Sequence, residues 1–324
     1  MGLVSTDSVI LALDFGGTKL AAATLKVGER RWQQTKRVLS PPGAGASVDL
    51  QIMRAIASKV VQGQKIAAIG VSFGGPVDAQ TGTVRLSHHV PGWENTPLQQ
   101  LLENEYQVPV RVDNDANVAA LGEYCFGAGQ GCDSLFYITV STGVGGGWII
   151  NGKPWRGADG MAGEIGHTVV DPAGPECLCG KQGCVERLAS GPYMAQQARE
   201  LLQMNPQRGQ GLRDLVKNDL NAITAQSIAQ AAASGDYFAR EILEKAGEAL
   251  GVGIGNVANI MNPYRFILGG GVTKSGSLFW QAVKRAARQT ALPEVYFEII
   301  PAALGDEAPL WGAIAIAQDV LSCG

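Results

Sequence analysis

The sequence predicts an α/β protein made of two related domains, and three observations support this prediction. Short apolar runs of strand length alternate along the chain with longer stretches of helical period. One pattern, a buried strand followed by a glycine-rich turn and a second strand, occurs in the first 25 residues and again around residues 135–150. The 324 residues also exceed what one ordinary hydrophobic core holds. Two copies of one αβ domain are therefore expected.

The predicted elements follow from these patterns in chain order. Gly16-Gly17 between two apolar runs signals a hairpin, so the first two strands are expected to pair. The predicted strands are Val9–Asp14, Lys19–Leu25, Ile66–Phe73, Val110–Val112, Leu135–Val140, Trp148–Ile150 and Arg265–Leu268. The predicted helices are Ala116–Phe126, Ser190–Gln203, Ala225–Ser234, Ala239–Asn262 and Ala308–Leu321. The polar stretch 204–222 is predicted to be a loop or an insertion.

Composition argues against several classes of protein. The net charge is −3 and the isoelectric point is about 5.7, so the basic footprint of a nucleic-acid or membrane-surface protein is missing. No apolar run reaches the roughly 18–20 residues of a membrane span. Residues 1–7 lack a basic segment before the first apolar stretch, so no signal peptide is predicted. We expect a cytoplasmic protein without nucleic-acid or membrane partners.

Three glycine-rich turns, each directly after a predicted strand, are candidate phosphate-binding loops. Glycine lets a backbone approach a phosphate closely, and its N–H groups then donate to the oxygens. In the first turn, Asp14–Lys19, the side chains of Thr18 and Lys19 would add donors and Asp14 would hold Mg²⁺ through water. A plain hairpin turn explains that segment equally well by itself. The turns Thr142–Gly147 and Gly269–Gly271 strengthen the phosphate interpretation, because open α/β sheets bind ligands at strand ends.

A polar segment, Asp113-Asn114-Asp115-Ala116-Asn117, stands at the start of a predicted helix. Asn and Asp are preferred helix N-caps, so capping alone is one explanation. Three such residues exceed what one cap requires. A carboxylate at a helix N-terminus is kept ionised by the helix dipole, which suits a general base for a hydroxyl group. Asp113 and Asp115 are both candidates for that base from the residues alone.

One histidine and three cysteines form a candidate zinc site, His167, Cys177, Cys179 and Cys184. A Cys₃His set is a known tetrahedral zinc composition, although the spacing matches no common zinc finger. In a cytoplasmic chain, clustered cysteines favour a metal over disulfides. Three free thiols in a buried loop are the alternative. Glu164 and Glu186 flank the set and are expected to face a ligand rather than the metal.

These motifs, in this order, resemble the repressor–ORF–kinase family of sugar kinases. The resemblance runs from about residue 8 to residue 192 and resumes at Leu268–Val272, and the Glu164–His167 and Cys177–Glu186 segments are its most specific parts. It implies two actin-like, ribonuclease-H-like domains around a cleft. The smaller domain would take residues 1–115 with the helix 308–324 returning to it, and the larger domain would take 116–307 with the zinc loop.

The resemblance also implies an activity, ATP-dependent phosphorylation of the 6-hydroxyl of a sugar. Asp115 would be the catalytic base, which decides between the two aspartates. The implied sugar-binding residues are Gly75, Asn114, Asp115, Glu164, His167 and Glu186, with His167 giving one ring nitrogen to zinc and the other to the sugar. The implied nucleotide-binding residues are Asp14, Gly16, Gly17, Thr18, Lys19, Thr142, Gly143 and Gly270. The cofactors would be ATP, Mg²⁺ and Zn²⁺, and the assembly a homodimer or homotetramer.

One departure and several alternatives accompany this resemblance. The family usually has Gly-Thr-Gly at the second phosphate turn, whereas this chain has Ser141-Thr142-Gly143. Glucose is the expected sugar, with N-acetylmannosamine or N-acetylglucosamine as the alternative, and ATP or polyphosphate as the donor. The family also includes sugar-responsive DNA-binding repressors, which carry a helix-turn-helix in front. Because the first phosphate motif begins at Asp14, such a domain is not expected. A non-catalytic sugar sensor is a further alternative, against which Asp115 argues.

Overall fold

The computed structural model describes residues 8–87 and 90–323. Residues 1–7, for which no signal peptide is predicted, lie outside the described residues. Contacts between Cα atoms divide the chain into two compact units: residues 1–133, 147–162 and 303–324 form the first, and residues 134–146 and 163–302 form the second. The predicted boundaries at residues 115 and 307 divide the chain differently, and as domain boundaries they stay a prediction.

The first unit contains a five-stranded sheet in the order β3-β2-β1-β4-β7. Its strands are β1 Val9–Phe15, β2 Lys19–Lys26, β3 Trp32–Leu39, β4 Ile66–Phe73 and β7 Val110–Asn114, and a small hairpin is formed by β5 Val77–Asp78 and β6 Thr83–Val84. The helices are α1 Ala46–Val61, α2 Leu98–Tyr106, α3 Asp115–Phe126 and α10 Ala308–Cys323. Strands β1 and β2 are antiparallel, whereas β1, β4 and β7 run parallel and end at the same edge. That shared edge collects the candidate residues of this unit.

Helix α10 packs on this sheet unusually closely. A Cβ atom on Gly70 of β4 would come within 1.8 Å of the Ala313 carbonyl oxygen. A Cβ atom on Gly312 would come within 1.7 Å of the Val118 carbonyl oxygen of α3. Only glycine permits these backbone approaches, so the last helix is an integral layer of the first unit.

The second sheet has the order β10-β9-β8-β11-β12. Its strands are β8 Ser134–Val140, β9 Val144–Ile150, β10 Lys153–Trp155, β11 Arg265–Gly269 and β12 Glu298–Pro301, and the division between the units falls within β9. The helices of the second unit are α4 Val185–Ala189, α5 Gly191–Met204, α6 Gln210–Leu215, α7 Ala225–Ala233, α8 Tyr237–Met261 and α9 Ser277–Thr290. Strands β8, β11 and β12 are parallel, and the first two end at the second and third glycine-rich turns.

All seven predicted strands and five predicted helices are present with bounds shifted by at most a few residues. The glycine-rich stretch after β8 is the main correction. Strand β9 begins at Val144, because consecutive glycines adopt extended backbone as readily as turns, so the turn itself is only Ser141–Gly143. The stretch 204–222 is also more ordered than predicted and contains α6. In the described part of the chain, no helix combines the length and apolar character needed to cross a membrane.

Candidate active site and metal site

The first glycine-rich turn joins β1 to β2 and places Asp14 at the end of β1. The Gly16 N–H donates to the Lys19 carbonyl at 3.0 Å, which closes the turn. Thr18 and Lys19 are exposed on it. The Ser72 hydroxyl of β4 donates to Asp14 Oδ1 at 2.8 Å, and burial raises the pKa of Asp14 from 3.8 to about 6 despite that bond. A carboxylate in such surroundings gains from a nearby cation, as the predicted Mg²⁺ role requires.

Asp115 is the first residue of α3 and is partly exposed. Its Oδ1 accepts the Ala116 N–H at 2.8 Å and the Asn114 side-chain amide at 3.1 Å. A carboxylate at the N-terminus of a helix accepts such donors and interacts favourably with the helix dipole. A partly exposed carboxylate at the carboxyl end of a parallel strand is accessible to a ligand, as a general base must be.

Asn114 is the N-cap of α3, so the capping interpretation is correct for this residue. Its Oδ1 accepts the N–H groups of Ala116 and Asn117, and its amide nitrogen donates to Asp115 and to the Gly75 carbonyl oxygen at 3.0 Å. The side-chain amide therefore makes four hydrogen bonds. To hold a sugar hydroxyl, Asn114 would exchange one of them.

Asp113, the second candidate base, is engaged in an ion pair. Arg156 donates from Nε at 2.9 Å and from Nη2 at 2.6 Å to Asp113 Oδ2. Asp113 Oδ1 accepts the Asn114 N–H at 2.8 Å, and the residue is only 3% exposed. Both carboxylate oxygens of Asp113 therefore accept hydrogen bonds from the protein itself. Asp115 is the better candidate for the base than Asp113.

The second glycine-rich turn is held by Glu186, from the segment that follows the cysteines. Glu186 Oε2 accepts the Val144 N–H at 2.9 Å. A Cβ atom on Gly143 would lie 2.6 Å from the same oxygen, so a larger residue here would displace the end of the Glu186 side chain. The Gly191 N–H donates to the Ser141 carbonyl oxygen at 2.9 Å and fixes the other end of the turn.

A cavity of about 870 Å³ opens beside this turn in the second unit. It has the size of a site for a small organic ligand. Its lining residues are Ser141, Thr142, Gly191, Pro192, Ala195, Arg199, Ile223, Thr224, Ala225, Gln226, Ala229, Gly271, Val272, Lys274 and Ser275. Thr142 was predicted to bind nucleotide, whereas the predicted Gly143 and Gly270 are not among the lining residues. Gly270 instead has a φ of +90° and shapes the third turn against Val140.

The four predicted zinc ligands come together. Their ligand atoms lie within 4.8 Å of one another, and Cys179 Sγ and Cys184 Sγ are 3.5 Å apart. Tetrahedral zinc with Zn–S bonds of about 2.3 Å requires ligand separations of about 3.5–3.8 Å, which the Cys179–Cys184 pair already has, and the composition of the set suits this ion. His167 Nδ1 is buried and has no hydrogen-bond partner in the described structure, as expected of a nitrogen that binds metal. Burial raises the pKa of the Cys184 thiol to about 12, and a bound cation would reverse that effect.

The candidate residues divide between the two units. The first unit contains Asp14, Gly16, Gly17, Thr18, Lys19, Gly75, Asn114 and Asp115, and the second contains Thr142, Gly143, Glu164, His167, Glu186 and Gly270. Glu164 is exposed and immediately precedes a short 3₁₀ helix that ends at His167. Sequence reasoning missed Lys274, which lines the cavity, although its place three residues after Gly271 of the third glycine turn is a usable signal. It also missed Arg199 and Thr224–Gln226, which only tertiary packing brings to the cavity.

Comparison with known proteins identifies the class. The ROK family profile matches residues 10–320, and the chain belongs to the ROK family. A glucokinase of Halalkalibacterium halodurans is 35% identical over 314 residues, covering 95% of this chain and 94% of that protein. A crystal structure of a Streptomyces griseus ROK glucokinase in complex with glucose and AMPPNP has a TM-score of 0.84 at 34% identity and covers 96% of this chain and 100% of that one. The family resemblance and the predicted fold class are confirmed.

The family also contains regulators of transcription. A xylose repressor of Caldicellulosiruptor bescii is 33% identical over 262 residues, covering 79% of this chain and 64% of the repressor. The chain thus matches the kinases over nearly their whole length and the repressor over about two thirds of its length.

Proposed function

We propose that this protein is an ATP-dependent hexose kinase that phosphorylates the 6-hydroxyl of glucose. The prediction of a sugar kinase made from the sequence agrees with the glucokinases, which match the chain nearly end to end. The observation that carries the proposal is Asp115, a partly exposed carboxylate at the start of α3, beside an aspartate that is locked in an ion pair.

Asp115 acts as the general base in this proposal. The sugar 6-hydroxyl oxygen forms a bond to the γ-phosphorus while the bond from that phosphorus to the β–γ bridging oxygen breaks. The hydroxyl proton goes to Asp115 and ADP leaves. Such a transfer needs positioning and charge neutralisation more than covalent chemistry. Gly75, Asn114, Glu164, His167 and Glu186 would hold the remaining hydroxyls.

ATP is the proposed donor. The 870 Å³ cavity beside Ser141 and Thr142 is large enough for a nucleoside, and its lining is mixed apolar and polar. The first glycine turn with Thr18 and Lys19 would hold phosphate oxygens, as would Thr142 and Gly143. Mg²⁺, held near Asp14, would neutralise phosphate charge when bound.

Zinc has a structural role in this proposal. His167 and the three cysteines would hold the ion, and zinc supplies no reaction step. The loop between Cys177 and Cys184 leads directly into Glu186, so an ordered loop keeps that carboxylate in place. Cys184 and Glu186 are separated by a single residue at the start of α4.

Cytoplasmic location and self-assembly complete the proposal. A homodimer or homotetramer is expected because symmetric oligomers are common among soluble enzymes. Light scattering should therefore give a mass of about two or four times 34.0 kDa. A mass of a single chain at micromolar concentration contradicts this part.

A coupled assay of ADP release tests the proposal. Glucose, N-acetylglucosamine and N-acetylmannosamine serve as acceptors, with ATP and polyphosphate as donors. Glucose with ATP should give the highest kcat/KM. If an N-acetylhexosamine gave the highest kcat/KM, the proposed substrate would be wrong, but the protein would still be a sugar kinase. Sugar binding without turnover of any donor would favour a sensor or regulator, the second candidate supported by the similarity to the xylose repressor.

A further inference from the structure

Glu186 stands between two parts of the molecule that have separate proposed tasks. One neighbour is the zinc cluster, since Cys184 is two residues away. The other is the turn Ser141–Gly143, which Glu186 holds through the Val144 N–H at 2.9 Å. That turn lines the 870 Å³ cavity through Ser141 and Thr142. A single carboxylate thus links the cysteine loop to the wall of the cavity.

The contact is specific to this carboxylate. In the described structure, a Cβ atom built on Gly143 would meet only Glu186 within 4 Å, at 2.6 Å from Oε2 and 3.5 Å from the carboxyl carbon. The φ of Gly143 does not lie in the left-handed region, so the close approach of the carboxylate is the contact that a larger residue would disturb. The helix carrying Glu186 is itself fixed, since the Val185 N–H donates to the Thr168 carbonyl oxygen at 3.0 Å.

We propose that Glu186 is a positioning residue for the nucleotide. Its carboxylate fixes the turn Ser141–Gly143 before any sugar binds. Through this contact, Glu186 connects the Cys177–Cys184 loop and the proposed sugar site to the nucleotide cavity. This rests on the proposed kinase function. A sugar hydroxyl that binds the Glu186 carboxylate contacts the same group that accepts the Val144 N–H and holds the turn. Sugar and nucleotide therefore influence each other's affinity through this residue, and such coupling is reciprocal.

Nucleotide binding without sugar is the test. Isothermal titration of AMPPNP with Mg²⁺ into the zinc-loaded, sugar-free protein measures the affinity directly. Glu186→Ala should weaken AMPPNP about tenfold, the order expected for losing one hydrogen bond to a charged group. Glu186→Gln should restore most of that affinity, because its amide oxygen can still accept the Val144 N–H. Glu294→Ala is the matched control: this exposed glutamate of the second unit lies outside both proposed sites, so AMPPNP affinity should stay at the wild-type value.

A double-substitution cycle provides a second readout. Gly143→Ala should weaken AMPPNP binding in the wild-type background, where the new methyl group meets the carboxylate. In the Glu186→Ala background the same change meets nothing within 4 Å and should cost little. Circular dichroism and one zinc per chain verify that each variant is folded.

The outcomes separate this inference from the proposed function. If the wild-type protein binds no AMPPNP, the proposed use of ATP as the donor is wrong. If the wild type binds AMPPNP and Glu186→Ala binds it equally well, Glu186 does not position the turn. Equal costs of Gly143→Ala in both backgrounds would also overturn the inference.

Discussion

Arg156 and Asp113 form a charge pair whose two members differ sharply in exposure. The guanidinium donates to Asp113 Oδ2 from both Nε and Nη2. The Asp113 side chain is 4% exposed, whereas that of Arg156 is 38% exposed. Asp113 also receives the backbone N–H of Asn114, and Asn114 in turn donates to Asp115. The orientation of Asp115, the proposed base, therefore depends on the Arg156–Asp113 ion pair, which acts on it through Asn114.

The first prediction is an asymmetry between the two partners. Arg156→Ala leaves a buried carboxylate without its cation and should lower the free energy of unfolding by about 3 kcal/mol. Asp113→Asn leaves a guanidinium that can turn to water and should cost only about 1–2 kcal/mol. Urea unfolding of both variants measures the difference. The double variant Arg156→Ala, Asp113→Asn should be more stable than Arg156→Ala alone. An equal cost for both single variants would contradict this explanation.

The second prediction concerns the general base. Asp115→Asn keeps the shape and the hydrogen bond from Ala116 but removes the basic carboxylate. Turnover should fall by about 10²-fold or more. Sugar affinity should change far less, because the amide can still contact the 6-hydroxyl. Steady-state kinetics together with sugar titration separates these effects. Asp319→Asn on the exposed face of α10 is the matched control and should behave as wild type.

The third prediction concerns zinc. Purified protein should contain about one zinc per chain, measured by elemental analysis. Cys179→Ala should remove the metal and lower both thermal stability and sugar affinity, because the loop also carries Glu186. Cys125→Ala, a cysteine of the first unit outside the set, should retain zinc. Full activity in protein that contains no metal would contradict the proposed structural role of zinc.

The fourth prediction follows from the raised pKa of Asp14. The folded pKa of about 6 exceeds the unfolded value of 3.8, so between these values the folded state binds more protons than the unfolded state. This contribution to stability is complete below about pH 4 and is lost as pH rises to about 6. Asp14→Asn should remove the slope and stabilise the protein at pH 7 by up to about 3 kcal/mol in buffer without Mg²⁺. Urea unfolding of the wild type and the variant at pH 4.5 and pH 7 tests it, and an equal change in stability between the two pH values in both proteins would count against it. The same variant should lose activity.

The strands and long helices were predictable because their signals are local. Apolar runs bounded by glycine define β1, β4 and β8, and period and length define α8. Helices α1, α2 and α9 were not predicted, nor was edge strand β3, whose residues are mostly polar and exposed. Strand β3 forms because its backbone pairs with the edge of β2. The residues of β3 themselves show no strand pattern that would predict this.

Some residues of the candidate site could be predicted from the sequence, whereas the contacts that hold them could not. The grouping of His167 with the three cysteines was predictable because four residues of metal-binding chemistry are close in sequence. The ion pair of Asp113 with Arg156 was not, because its partners are 43 residues apart and arginine gives no motif. The Glu186 contact with Val144 spans 42 residues and was missed for the same reason. Chemistry carried by neighbours along the chain is readable, whereas chemistry created by packing is not.

The close packing of α10 has a consequence for biosynthesis. Residues 308–323 complete the layer against β4 and α3, yet the ribosome makes them only after the whole second unit. The face of the first sheet around Gly70 therefore stays uncovered while the roughly 150 residues of the second unit are translated. The early part of the chain therefore keeps this face exposed until residues 308–323 have been made, and the core of the first unit can be completed only after that point.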